Sequence, residues 1–337
     1  MGWLDRWLKR GLPAEAGQVS DASILEATAH VVQLVDPRLA LCPGYATRLE
    51  PGVRKALAHC IEMEAQMPPE ISVVPGTWAS DSQLFAFFAT ESDFLRVCSR
   101  STELLQFFDE NPLAEAAYGA LTAVVVERKV MGPAIVNGML RQDVLQTTVS
   151  FTDHKLTIVA ADAPRLRRAI SKRAFEELAV ITFARGEAES AARQQLDDDR
   201  ALLLARRQML ARRGTGLDAA DASRLQDVDA EIEKNTREMQ RIGNSADALE
   251  RRLSSLIDVL EHAADLISLE RRQMRLTNTN HLVGGDCVEH VRQIDFSLAT
   301  SQRADEPLSR AFLVLELPRA LAQRQKPDLD GARAILL

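Results

Sequence analysis

Leu225 to Met274 reads LQDVDAEIEKNTREMQRIGNSADALERRLSSLIDVLEHAADLISLERRQM, and the fold turns on this stretch. Steps of three and four alternate through Leu225, Val228, Ile232, Asn235, Met239, Ile242, Ala246, Leu249, Leu253, Leu256, Leu260, Ala263, Ile267, Glu270 and Met274. Thirteen of these fifteen positions are apolar, so one side of a helix would carry a continuous apolar stripe. A stripe of that period winds helices around each other. Sustained for about seven heptads, it predicts a helix roughly 75 Å long. Asn235 and Glu270 interrupt the seam, and Gly243, Asn244 and Ser245 lower helix propensity at one point along it.

A second helix precedes this one. Asp162 is a natural N-cap, and Pro164 falls in the first turn. The pattern runs to about Arg213, where Gly214-Thr215-Gly216 breaks it, and Leu196, Leu203 and Leu210 recur every seven residues. Folding the two segments about Thr215 sets residue i opposite roughly 430 − i, the geometry of an αα-hairpin. The expectation is an antiparallel coiled-coil hairpin over 163–276. A parallel homodimer through the second helix is the competing arrangement.

Strand patterns bracket the hairpin. Leu145, Thr147, Val149 and Phe151 alternate with polar residues, as do Leu156, Ile158 and Ala160, and Thr152-Asp153-His154 reads as the turn of a β-hairpin over 143–162. After the helices, Ile294, Phe296 and Leu298 alternate, and Ala311 to Leu317 reads as a buried strand within a returning segment, 277–320. Residues 20–142 read as mostly helical. Ser23-Ile24-Leu25-Glu26 is a capping box, Pro51 opens a helix, and Asn111-Pro112 opens another that runs through Val124, Val125 and Val126. Met131 to Leu140 then reads as a connector. Phe85, Phe87, Phe88, Phe94, Phe107 and Phe108 are expected in the core. The fold expected is α+β and mostly α: a helical head with a small antiparallel sheet of about four strands, interrupted by the coiled-coil hairpin. Residues 1–12 form an amphipathic leader, and 321–337 a tail.

Composition narrows the function classes. A net charge of −7 and a pI near 5.5 do not suggest a nucleic-acid binder. Seven Lys against 34 Arg fit a GC-rich, bacterial coding sequence. The cysteines Cys42, Cys60, Cys98 and Cys287 include no C-x-x-C pair, as expected of a reduced cytoplasmic protein. No apolar run is long enough to span a bilayer.

Candidate chemistry concentrates in LTNTNHLVGGDCVEHVRQ, Leu276 to Gln293. His281, Asp286, Cys287 and His290 could together supply the nitrogen, sulfur and oxygen donors of a zinc site. Their spacing follows no established ligand pattern, and the simpler reading is a join between the helices and the returning strands. Asp153 with His154 offers an acid–base pair without a nucleophile. His59-Cys60 are helix neighbours that do not face each other, so a buried thiol is expected. No G-x-S-x-G, P-loop or dinucleotide-binding motif occurs. No cofactor is expected.

In MGWLDRWLKRGL, Trp3, Leu4, Trp7 and Leu8 share one helical face and Asp5, Arg6, Lys9 and Arg10 the other. That face suits a protein groove or weak contact with a membrane surface. The sequence therefore reads as a non-enzymatic bacterial scaffold or adaptor that presents a coiled-coil stalk to a protein partner. The alternatives are a hydrolase-like enzyme, with or without metal, whose site lies at the stalk base, and a peripheral protein held at the inner membrane face by its N-terminus.

Overall fold

A computed structural model describes residues 20–322, apart from 75, 77, 79–80, 137–138, 213–218, 243–246, 284–290 and 304–305. The fold is mixed α+β. Helices α1 (Asp21–Val35) and α2 (Tyr45–Ala65) flank a 3-10 turn at Pro37–Leu41. Strand β1 (Glu70–Ser72), three short helices α3 (Ser82–Phe87), α4 (Glu91–Arg100) and α5 (Thr102–Glu110), and strands β2 (Ala116–Val136) and β3 (Met139–Ala160) follow. Helices α6 (Ala163–Arg212), α7 (Ala219–Ile242), α8 (Ala248–Glu261) and α9 (Ala263–Leu266) separate β3 from β4 (Ile267–Thr277), β5 (Val291–Arg303) and β6 (Glu306–Pro318).

Two compact units emerge. Among the described residues, one comprises 57–175 and 264–322 and the other 20–56 and 176–263, so each is assembled from separated stretches of chain.

The first unit is built on the sheet. Its order is β3-β2-β6-β5-β4, antiparallel throughout, with β1 added parallel to β6. β5 pairs with β6 as far as Ser297↔Phe312, and β1 takes up the same edge of β6 at Glu70↔Val314. The two outer strands then meet. Val149 donates to the Asn280 carbonyl (2.8 Å), Leu282 to Thr147 (2.7 Å) and Val283 to Arg275 (2.9 Å). Residues 280–283 thus bridge β3 to β4 and close the sheet on itself, which removes exposed strand edges where they meet.

One face of the sheet buries Leu121, Phe151, Leu276, Ile294, Phe296 and Leu313 with Phe87, Phe88, Phe94 and Phe108 from the short helices. Phe87 stacks on Phe151 at 4.0 Å between ring centroids and meets Phe296 edge-on at 6.0 Å. The other face carries Ala120, Phe312 and Val314 against Met67 and Leu166. On the first face Gly119 leaves room for Leu156, whose Cδ1 would lie 2.7 Å from a Cβ there and would have to shift.

Several expectations are corrected. β2 is a strand where a helix and a connector were read. Asn111 ends α5, its N–H bonding to the Phe107 carbonyl, instead of opening a new helix. The β-branched run at Val124–Val126 is strand chemistry. β3 is one strand where a hairpin was read. Its register shifts where Asp153 and His154 stand opposite Ala123 alone, and Asp153 has φ 50°. A bulge of this kind breaks the alternation much as a turn does. Ile267 belongs to β4, not to a helical seam, and Met274 lies in the same strand. α8 ends at Glu261 and α9 at Leu266, so the helical segment stops short of residue 276. Pro51 sits inside α2, and α1 is capped by Ser20 and not by Ser23. The expectation for Asp162 holds, with the Arg165 N–H bonding Asp162 Oδ1 at 2.8 Å; that for the phenylalanines holds for Phe87, Phe88, Phe94 and Phe108, while Phe107 is partly buried against the core and Phe85 is half-buried beside Trp78 and Arg292.

In the second unit α6 packs against α7 and α8. Arg207 pairs with Asp229 (2.7 Å), Arg200 donates to Thr236 (3.0 Å), Asn235 donates to the Leu196 carbonyl (2.9 Å), and Arg251 donates to Glu189 (2.8 Å). As residue numbers fall along α6 they rise along its neighbours, so the helices run in opposite directions. Val228, Leu253, Leu256 and Leu260 are buried, while Leu225, Ile232, Met239 and Leu249 are half-buried. The side chain of Ile242 and the soft point at Gly243–Ser245 lie outside the description.

The closing segment yields a stability prediction. Asn280 has φ 57° and donates its side-chain amide to the Ala86 carbonyl at 2.9 Å. Asn tolerates this left-handed conformation, which penalises Ala. Asn280→Ala is expected to destabilise by about 2 kcal/mol, and Asn280→Gly, which keeps the backbone and loses only the hydrogen bond, by about 1 kcal/mol. Urea unfolding of the two variants measures the order, and equal losses would show that backbone conformation contributes nothing there.

Candidate functional site

The described residues singled out as chemistry, His281, Asp153 with His154, and His59 with Cys60, each sit among different partners. His281 forms a β-bridge with Thr148 within the closing segment; its N–H bonds Thr277 Oγ1 at 3.1 Å and its Nδ1 lies 2.8 Å from Thr279 Oγ1. It sits in the join, as the simpler reading has it, although that join follows a strand and not a helix. Asp286, Cys287 and His290 lie outside the described residues, as do Trp3, Leu4, Trp7 and Leu8. Among the described residues no group of three or more His, Cys, Asp or Glu is arranged to hold a metal ion.

His154, expected in an exposed turn, is half-buried. Its Nε2 lies 2.7 Å from the Phe87 carbonyl and its ring stacks on Phe88 at 4.2 Å. Burial lowers its pKa, favouring the neutral imidazole. Its neighbour Asp153 pairs with Arg310 and Lys155, and the hydrogen bond from Arg310 is the main reason its carboxyl titrates low. Each side chain of this bulge thus holds a separate structural partner, and the two do not form an acid–base couple. Cys60 is buried, as expected, and desolvation pushes its thiol up to about 12, favouring the neutral form. Its neighbour His59 bonds the Ile267 carbonyl at 2.9 Å.

A cleft of about 400 Å³ lined by charged side chains lies in the second unit, between α6, α8 and the 3-10 turn after α1. Asp36 anchors it. An Asp before Pro is well suited to stop α1 and cap the turn that follows. The Asp36 carboxylate accepts the Arg38 N–H (3.0 Å) and the Arg38 guanidinium (2.8 Å), and Arg252 reaches it from α8 at 3.0 Å. Only 6% of Asp36 is exposed. The hydrogen bond from Arg38 outweighs the cost of burial and holds its pKa at about 2.

Gly186 eases this reach. It lies inside α6, where glycine costs about 1 kcal/mol relative to Ala, and a Cβ there would stand 3.1 Å from Arg252 Nη2 and 3.2 Å from its Nε. The Arg252 guanidinium therefore passes across the bare backbone of α6 on its way to Asp36. Around it, Arg251 pairs with Glu189 and Arg193 approaches Asp197 at 4.0 Å. Each of these arginines has an acidic partner, so the arrangement acts chemically as a clamp of fixed charges. It ties the α1 turn to α6 and α8, helped by the ion pair of Arg48 with Glu250. Sequence reasoning missed it, although two signals were present: an Asp-Pro-Arg at a helix end and a glycine inside a long helical pattern.

The clamp predicts a pH dependence. A carboxyl whose pKa is depressed on folding adds stability that is complete above its unfolded value and vanishes as pH falls through its folded value. For Asp36 that window runs from about 3.8 down to about 2. Asp36→Asn is expected to cost about 2 kcal/mol at pH 7, with the gap to the parent protein closing across that window. A gap that persists at pH 2 would assign the loss to packing instead of charge.

No family model, no curated protein and no solved structure matches this chain.

Proposed function

We propose that the chain is a non-enzymatic adaptor, with α6 and α7 forming an antiparallel coiled-coil hairpin that docks an amphipathic helix of a partner protein. One observation carries the reading. Leu202 and Met209 of α6 are 69% and 71% exposed. Seven residues apart, they lie two turns along one face. Leu196, Leu203 and Leu210, on the adjoining face, are half-buried on the side where Asn235 and Asp229 of α7 make their contacts. The helix thus carries two apolar stripes, one used within the chain and one free to meet another helix, which is how helix-in-groove partners are recognised. Exposed Arg206 lies between Leu202 and Met209 and favours a partner helix with an acidic residue beside its apolar anchors.

The test places a photo-crosslinking amino acid at position 202 or 209, with one at exposed Arg237 as control, in the native cell extract. A protein captured from 202 and 209 but not from 237 is purified and titrated against the parent chain and Leu202→Asp/Met209→Asp. The expected result is at least about a tenfold loss of affinity, since two apolar anchors are replaced by desolvated charges. Unchanged affinity, or capture equal to that from position 237, overturns the reading.

A further inference from the structure

The cleft beside Asp36 holds more positive than negative charge. Arg38, Arg193, Arg251 and Arg252 line it with the carboxylates of Asp36 and Glu189, four cations to two anions. The chain as a whole carries a net charge of −7, so this excess is local. Glu187 and Asp197 stand outside the lining, 3.9 Å from Arg252 and 4.0 Å from Arg193, at the outer limit of an ion pair. Asp36 already serves two guanidinium groups, those of Arg38 and Arg252. A guanidinium presents five N–H donors, so holding one carboxylate does not exhaust it. The side chains of Arg193, Arg251 and Arg252 are only 30%, 28% and 20% exposed. Charges so far withdrawn from water are screened less than surface arginines.

The backbone adds to this charge. α8 begins at the cleft, with Ala248 and Leu249 in its wall, and Asp247 before it makes no side-chain cap. The first N–H groups of a helix and the positive end of its dipole favour an anion. Ser190 and Ser255 bring hydroxyls to the same wall. The cations are also strung out along the cleft. Arg252 crosses α6 at Gly186, Arg251 pairs with Glu189, and Arg193 lies seven residues beyond Gly186, about 10 Å along the helix. That spread matches a chain of anionic groups better than a single one. None of the described residues lining the cleft is aromatic, so it offers no platform on which a base could stack.

We infer that this cleft binds a linear polyphosphate group, with Arg193, Arg251 and Arg252 as its charge partners. Guanidinium forks match phosphate oxygens bidentately, and a cleft of about 400 Å³ has room for several linked phosphates. The inference stands independently of the adaptor reading, which concerns Leu202 and Met209.

The experiment is isothermal titration calorimetry on the full chain in metal-free buffer, with inorganic triphosphate, pyrophosphate, orthophosphate and ATP as probes and circular dichroism to confirm folding. Triphosphate is expected to bind more tightly than pyrophosphate, and orthophosphate least tightly. ATP is expected to gain nothing over triphosphate. Arg193→Gln and Arg251→Gln are each expected to weaken triphosphate binding about tenfold. Arg237→Gln, from an exposed pair with Glu233 on α7, is expected to leave it unchanged. Glu189→Gln removes the carboxylate that competes for Arg251 and is expected to tighten binding about threefold or more. A gain of affinity is a signature that damage to the fold cannot mimic. The inference is overturned by a parent chain that binds no triphosphate up to about 10 mM, or by orthophosphate binding as tightly as triphosphate. It is equally overturned by cleft variants no weaker than Arg237→Gln, by weaker binding in Glu189→Gln, or by ATP binding more tightly than triphosphate.

Discussion

The hydrogen bonds of residues 280–283 are what the sheet-bearing unit depends on. β3 and β4 are separated in sequence by the whole run of α6 to α9, and these bonds join them. Without the Asn280, Leu282 and Val283 bonds, β3 and β4 would both be bare edges of an open sheet. Backbone groups at such edges must be paired or solvated. Closure is also what allows an insertion of this length to be tolerated. A long excursion between two points costs little extra once its ends are pinned, because closure entropy grows only logarithmically with length. Asn280 serves twice, through its left-handed backbone and through its amide on the Ala86 carbonyl, so the turn holds both the ring of strands and the α3 segment.

Unit two solves a related problem with charge. α1 and the first part of α2 are far in sequence from α8, yet Asp36 and Arg48 bind Arg252 and Glu250 there. The Asp36 pair is buried, and a buried pair contributes only when its hydrogen bonds are nearly complete. Here the carboxylate takes a backbone N–H and two guanidinium groups, and Gly186 gives Arg252 its path. The helix propensity lost at Gly186 comes with a close passage for Arg252, whose guanidinium would have to give by a few tenths of an ångström beside a Cβ there. Asn235 behaves differently. It donates to the Leu196 carbonyl, while its own buried oxygen has no partner among the described residues. An unpartnered buried oxygen costs stability.

How much of this was legible depends on how local each signal is. The phenylalanine core, the Asp162 cap, β5 and β6 were all readable, because periodicity and capping are set by neighbours in sequence. β4 was not. Ile267 and Met274 satisfy the three-four spacing of a helix, yet Ile267, Met274 and Leu276 are the buried positions of a strand. Short amphipathic stretches fit both periods, and hydrogen bonding to β5 decided between them. Glu270 in the supposed seam was the available warning. β3 misled in the opposite way: the bulge at Asp153–His154 reverses which side chains face the core, and a reversal in alternation looks the same as a chain reversal. The Asp36–Arg252 clamp and the closing segment were beyond the sequence because each joins residues that only the fold brings together.

The two hydrogen-bonding problems of the sheet have different solutions for one physical reason. The outer edge of β3 at Thr147–Val149 finds Asn280–Leu282 within its own chain. Among the described residues, the outer edge of β2 beyond Ala123 has no such segment, because β6 pairs with it only as far as Ala123↔Ala311 and continues paired with β5. A free edge can be defended against indiscriminate pairing by charge, and the Glu127-Arg128-Lys129 run supplies that charge.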